Sequence, residues 1–280
     1  MSRPYPSLRQ GLVGCWVPSL GASGLLLLDH SGRNAHGTLT NMGGQDNWPA
    51  SGSGVALNLD GTNDHVTASG RTAITGNSAL TFSAWLKTST SGTVIDAGLN
   101  NGCIVRVGTS GQLRFSGGPS AMFKNALFTF GVWSHVAVVY PGTLIADAVF
   151  FGNGVSFGTG TPEGVGSAVA NNFGVATVYI GSTRALSQFF NGQLDDVRLY
   201  NRALTPAEIR LLASRRGIGL SPSDPYYDDD AESLRYPIET PPNRIWANDS
   251  GVWVPGAVKA NEAGVWVNGD TKRNEGGVWQ

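Results

Sequence analysis

FFNGQLDDVRLYNRALTPAEIRLLASRRG, residues 189–217, sets two elements back to back. Gln193 to Tyr200 reads as a strand, in which the adjacent acids Asp195 and Asp196 would point to opposite faces. The residues after it carry a complete helix start: Thr205 as N-cap, Pro206 at the first helical position and Glu208 placed to close a capping box. Ile209, Leu212 and Ala213 then form an apolar stripe, Arg215 and Arg216 sit near the negative end of the dipole, and Gly217 provides a stop. A strand running straight into a short capped helix is how a β domain would close.

Upstream the pattern agrees. From Leu12 to Tyr200 the chain is a series of short strand-like runs, among them GLVGCWV, LTFSAWLKT, CIVRVG, QLRFSG, WSHVAVVY and ATVYIGS, parted by turn chemistry such as DGTND and GNG. In LTFSAWLKT, Leu80, Phe82, Ala84 and Leu86 share one face, and Thr81, Ser83, Trp85 and Lys87 share the other. HVAVVY is apolar on both faces, as a central strand covered on both sides must be. So many strands predict an all-β, two-sheet sandwich.

Composition narrows the function. Of 280 residues 39 are Gly and only 14% are charged, which suits glycine turns and excludes a helical bundle. The net charge of −1 divides unevenly: residues 1–220 hold 14 Lys and Arg against 10 Asp and Glu, and residues 221–280 hold 5 against 10. No concentrated basic stripe marks a nucleic-acid partner. The leucine run Leu25 to Leu28 is too short to span a membrane or to serve as the apolar part of a signal peptide, so export by the usual route is not expected. Cys15 and Cys103 lie in apolar runs and read either as two buried free thiols or as a disulfide.

Taken in order, GLVGCWVPS, DHSGRNAHGTLTN, ALNLDGTNDHVTAS, LTFSAWLKT, GVWSHVAVVY, YIGS and FFNGQLDDVRLYNRALTPAEI resemble the laminin-G-like, concanavalin A-like lectin domain over Gly11 to Ala213. The resemblance implies a jelly roll of two antiparallel sheets that binds glycans or mediates contacts, frequently with calcium. Residues 1–10 then form an N-terminal arm and 11–217 the lectin-like domain. The Pro-rich acidic stretch 218–244 is expected to be an extended linker.

Residues 245–280 repeat one phrase three times: Asn248, Asn261 and Asn274 are thirteen apart, as are Trp253, Trp266 and Trp279. Each unit reads as a β-hairpin with its turn at Asn-x-x-Gly and Val-Trp-Val as the returning strand in the complete copies. Two-stranded hairpins are marginal in water, so the three tryptophans are expected to form an assembly interface with a homo-oligomer or another structural protein. The repeats resemble Trp-containing repeats at the ends of some bacteriophage tail and virion proteins. The expectation is a non-enzymatic virion surface protein, a head decoration or tail adhesin with host-surface glycan as ligand. The alternative is a secreted, extracellular carbohydrate-binding module or a degenerate hydrolase.

Specific sites follow. Asp29, the Ser31 hydroxyl and carbonyls near Asn34 offer oxygen ligands for calcium, and the resemblance brings Asp195 to them. The competing reading is that Asp29 and Asn34 only shape the loop while Asp195 takes backbone N–H groups. Trp85, alone among polar residues on its face, is a candidate sugar-stacking platform or, alternatively, core. Asp60 and Asp64 read as turn formers, and His135 as a hydrogen-bonded strand residue. Glycoside hydrolysis needs two opposed acids; residues 1–220 hold only Glu163 and Glu208 as glutamates, and no catalytic pair is assigned.

Overall fold

The computed structural model describes residues 8–20, 24–43, 47–69, 74–98, 103–117, 120–163, 173–174, 177–221, 224, 247–249 and 252–254. The chain divides into two compact units, Met1–Leu234 and Arg235–Gln280.

The first unit is built on two antiparallel sheets, as the strand pattern predicts. The seven-stranded sheet runs β1 (Leu12–Trp16), β18 (Asn191–Tyr200), β7 (Leu80–Thr88), β12 (Ser134–Tyr140), β13 (Val149–Gly152), β14 (Val155–Thr159), with β4 (Leu57–Asp60) also paired to β18. The nine-stranded sheet runs β15 (Thr161–Glu163), β11 (Ser120–Lys124), β10 (Leu113–Gly117), β9 (Ile104–Val107), β8 (Gly92–Asp96), β17 (Thr177–Ile180), β5 (His65–Ser69), β3 (Gly37–Thr40), β2 (Leu26–Leu27). A small pair joins β6 (Thr75–Gly76) to β16 (Phe173–Gly174).

Alternation along the strands makes the core. Phe82, Ala84 and Leu86 of β7 and Val136 and Val138 of β12 meet Val105, Phe115, Val178 and Ile180 from the other sheet in one buried cluster. The opposite faces of β12 and β1 do not meet water either: Ala137, Val139, Leu12 and Cys15 pack with Tyr200, Leu204, Ile209, Leu212 and Ile218 in a second cluster. That covering layer is the predicted helix, α1 (Pro206–Leu212), capped by Thr205 and boxed by Glu208 as the sequence requires. The helix ends sooner than expected: Ala213 is its C-cap, donating to Ile209 and Leu211 carbonyls. Arg215 and Arg216 are therefore freed from the dipole for other work. Arg215 pairs with Asp224, whose Oδ2 also accepts from Gly219 N–H, so residues 218–221 and 224 stay against the domain; the rest of the expected linker lies outside the described residues.

Cys15 and Cys103 are free buried thiols, each pushed up by burial, so no disulfide joins them. Asp60 accepts from Thr62 and Asn63 N–H and Asp64 accepts from Asp60 N–H, which is the turn role expected. Among the described residues no helix is long and apolar enough to cross a membrane.

In the second unit β19 (Ala247–Asp249) pairs with β20 (Val252–Val254), Asn248 opposite Trp253, so the backbone of the first repeat is the expected hairpin. Trp266 and Trp279, and the side chain of Trp253, lie outside the described residues.

Candidate functional site

Of the residues singled out in the sequence, Asp29 and Asp195 are buried, Trp85 is half-buried and Asn34 is exposed. Asp29 does not present free oxygens. Its Oδ1 accepts from Cys15 and Ser31 N–H, and its Oδ2 from the Ser31 hydroxyl and Ala35 N–H. Four donors occupy the four lone-pair directions of a carboxylate. Asn34 supports the loop by adopting a positive φ of 56°. Asp195 accepts from Ser19 and Asp196 N–H and lies 3.5 Å from Arg216 Nη1. Among the described residues no three His, Cys, Asp or Glu side chains converge as a metal cluster. Calcium takes six to eight oxygens, and this donor set, already engaged by N–H and O–H groups, does not fit it. The loop-shaping reading of Asp29 accounts for every contact.

Asp195 and Asp196 do not point to opposite faces. The register passes from Asp195 opposite Trp85 to Arg198 opposite Ser83, so β18 carries one extra residue, and Asp196 takes a φ of 47°. This β-bulge turns Asp196 back to the side of Arg198. Arg198 Nε donates to Asp196 Oδ1 at 2.6 Å and Nη2 to Oδ2 at 3.1 Å, while Nη2 also donates to the Ile218 carbonyl and Gly217 N–H caps Asp196. Burial and the neighbouring Asp196 charge push Asp195 up to about 6.

Trp85 shares this sheet face and is half-buried. Its Nε1 donates to the Leu212 carbonyl at 3.2 Å, His135 meets the ring edge-on at 5.7 Å, and Arg216 sits 5.6 Å above it and 3.8 Å above Trp133. The indole is a packing surface for the chain after α1, in line with the core alternative for this residue. His135 differs from expectation too. Among the described residues neither ring nitrogen has a hydrogen-bond partner, and burial pushes its pKa down to about 3.

The other outer face is built differently. β9 reads Ile104-Val105-Arg106-Val107 and β10 reads Leu113-Arg114-Phe115-Ser116, so alternation sends Val105, Val107, Leu113 and Phe115 into the core and aims Arg106, Arg114 and Ser116 outward. Register aligns them into two rows across neighbouring strands. One row is Thr93, Arg106, Arg114, Phe123 and Thr161; the next is Tyr179, Asp96, Ile104, Ser116, Ala121 and Glu163.

The hairpin loop Gly108 to Gln112 fixes that register. Gly111 has a φ of 72°, and a Cβ there would strike the Phe128 carbonyl. The loop is anchored by Leu127 N–H donating to Gly111.

Arg106 and Arg114 stand directly opposite each other, a like-charge pair that costs stability unless something anionic intervenes. Arg114 reaches past small Ala121 to Glu163, Nε to Oε2 at 2.5 Å, with the N–H not directed along that line, so the contact is an ion pair rather than a hydrogen bond. Burial and the Arg114 charge hold Arg106 below the ordinary arginine value. Asp96 accepts from Gly98 and Arg184 N–H and is raised by burial; Arg184 also donates to the Gly98 carbonyl. Thr93 Oγ1, Arg106 Nε and Ser116 Oγ are buried atoms without a partner among the described residues, although Thr93 is 0% exposed and Ser116 8%. An unmet buried polar atom costs about 1–3 kcal/mol. On this face two of them, Arg106 Nε and Ser116 Oγ, lie beside the opposed arginine pair.

Sequence reasoning passed over this site. Its signal was a single arginine centred in each of two adjacent apolar strands, CIVRVG and QLRFSG, joined by a five-residue loop.

Residues 60–210, just over half of the chain, match the Laminin_G_3 family, described as the concanavalin A-like lectin/glucanases superfamily. The chain belongs to this family. Among solved structures, this laminin-G-like chain is similar to domain 4 of AbnA, a GH43 extracellular arabinanase from Geobacillus stearothermophilus solved with arabinotriose. There the TM-score is 0.53 at 21% identity, over 72% of this chain and 98% of that one. It is also similar to the binding domain of botulinum neurotoxin DC in complex with SialylT, with a TM-score of 0.52 at 15% identity, over 74% of this chain and 52% of that one. The binding domain of Paraclostridial Mosquitocidal Protein 1 gives a TM-score of 0.55 at 16% identity, over 74% and 52%. These likenesses establish the jelly-roll fold. The chain spans nearly all of the arabinanase domain and about half of the toxin binding domains. No match is found among curated proteins.

Proposed function

We propose that the laminin-G-like domain is a glycan-binding module that does not cut its ligand, with the outer face of the nine-stranded sheet as its binding surface. The observation that carries this is the opposed pair Arg106 and Arg114 on that face, with the unpartnered Arg106 Nε and Ser116 Oγ beside it. Hydroxyl-rich ligands supply both donors and acceptors to such atoms, and half-buried Phe123 and Tyr179 flank them with aromatic surface. The arabinotriose and SialylT complexes of similar folds lend support.

Geometry on the same face argues against hydrolysis. Asp96 and Glu163 lie in one row but four strand spacings apart, or about 19 Å at roughly 4.8 Å per strand. Paired glycosidase acids stand about 5–9.5 Å apart. The reading is tested by glycan-array and calorimetric binding of the purified chain, with reducing-sugar release measured in parallel. Binding without release supports it, and release of sugar from any bound polymer overturns it.

The virion role rests on the C-terminal repeats, whose first copy forms a hairpin too small to stand alone. Its test is truncation after Pro242: the shortened chain is expected to keep the domain's Tm within about 2 °C and to lose self-association or particle binding in sedimentation.

A further inference from the structure

From the arginine pair we infer that the ligand is an acidic glycan, whose sugar carboxylate is received between Arg106 and Arg114. This rests on the glycan-binding reading and names the ligand class for the same face.

The charge pattern leads there. Arg106, Arg114 and Arg184 line the face with Asp96 and Glu163 as its acids. Both acids are engaged: Asp96 holds two backbone N–H groups, and Glu163 pairs with Arg114. Arg106 Nε is left buried and unpartnered beside a like charge. A guanidinium fork matches a planar carboxylate in geometry as well as in charge. An anion lying between the two forks relieves the repulsion and satisfies Arg106 in one step.

The hydroxyls decide for a sugar acid over a simple ion. Ser116 Oγ lies two residues along from Arg114, and half-buried Phe123 stands opposite Arg114 on the next strand, so the arginine pair has a hydroxyl and an aromatic surface beside it. A lone carboxylate uses neither, whereas a sugar ring bearing hydroxyls next to its acid uses both. Arg114 with Glu163 can also open: Glu163 is half-exposed on edge strand β15, so exchanging it for a ligand carboxylate breaks an ion pair that is itself partly solvated.

Polygalacturonate, its methyl ester, dextran sulfate and neutral arabinan are the probes, each titrated into the full chain and into the variants Arg106→Gln, Arg114→Gln and Arg106→Lys. Polygalacturonate is expected to bind, to weaken at least tenfold on methyl esterification, and to weaken at least tenfold in both Gln variants, with Arg106→Lys recovering only part. Affinity for it is expected to fall as salt rises. Unaltered circular dichroism and Tm show that a Gln variant that loses binding is folded. Equal binding of polygalacturonate and its ester, or equal binding by wild type and Arg106→Gln, overturns the acid-glycan assignment while leaving glycan binding standing. Dextran sulfate bound as tightly as polygalacturonate overturns the choice of carboxylate. A chain that binds none of the four overturns both this inference and the reading beneath it.

Discussion

Two arginines on opposite outer faces of one sandwich show how the domain divides its labour. Arg198 is 0% exposed, yet it has a bidentate carboxylate, a backbone carbonyl and a covering helix. Arg106 is only half-buried, yet among the described residues its Nε has no partner. The face around Arg198 is finished by the chain itself, because α1 and the residues after it lie over it. The face around Arg106 is left unfinished. Arg198 is enclosed with its counter-charge, only its Nη1 lacking a partner among the described residues, whereas Arg106 stands half-buried beside a like charge.

The comparison breaks most sharply at Arg198. Arg198→Ala leaves Asp196 buried without its counter-charge and is expected to cost about 3–5 kcal/mol in urea denaturation; a loss under about 1 kcal/mol would show that the sealed face does not depend on the pair. Gly111→Ala forces a side chain into a left-handed conformation and against the Phe128 carbonyl. It is expected to cost about 2–3 kcal/mol and to weaken glycan binding by moving Arg106 out of line with Arg114, both measurable on one preparation.

The sealed face is also pH-sensitive, with two opposing parts. His135 folds neutral with its pKa near 3, so its contribution is complete above about 6.5 and is lost on acidification, at about 1.4 kcal/mol per pH unit. Asp195, raised to about 6, works the other way: protonation favours the fold, and that contribution is lost as pH rises through 6. His135→Phe is therefore expected to gain relative stability of about 2 kcal/mol at pH 5 over wild type, compared with pH 7.5. Asp195→Asn is expected to steepen the acid loss that remains. A flat difference between wild type and His135→Phe from pH 7.5 to 5 would contradict the burial of that ring. The smallest effect is expected on the open face: Arg106→Gln removes a like-charge neighbour and should leave the Tm unchanged or raise stability by up to about 1 kcal/mol.

Much of this was legible in the residues. Period-two alternation found β7 and the doubly covered β12, and Thr205, Pro206 and Glu208 fixed the helix start. These are local rules, obeyed within a few residues. What the residues left open were questions of what lies above a face. For Trp85 the sequence offered both a ligand platform and core, and only the positions of α1 and Arg216 show what packs on the ring. Asp195 and Asp196 look opposed until a bulge, invisible in the residue types, turns one of them. Asp29 was singled out correctly as an oxygen-rich centre, but its partners come from β1 and Ala35, so its service is to the loop. Arg106 and Arg114 could have been found by asking which strand centres break an apolar run with a charge.

Leu8, whose carbonyl accepts from the Tyr200 hydroxyl, and Ile218 both belong to the cluster beneath α1. Leu8 and Ile218 thus both lie on the side away from Arg106. A domain trimmed to residues 8–221 and coupled to a sensor chip through either end is held by its closed back, so the arginines look out into the flowing sample.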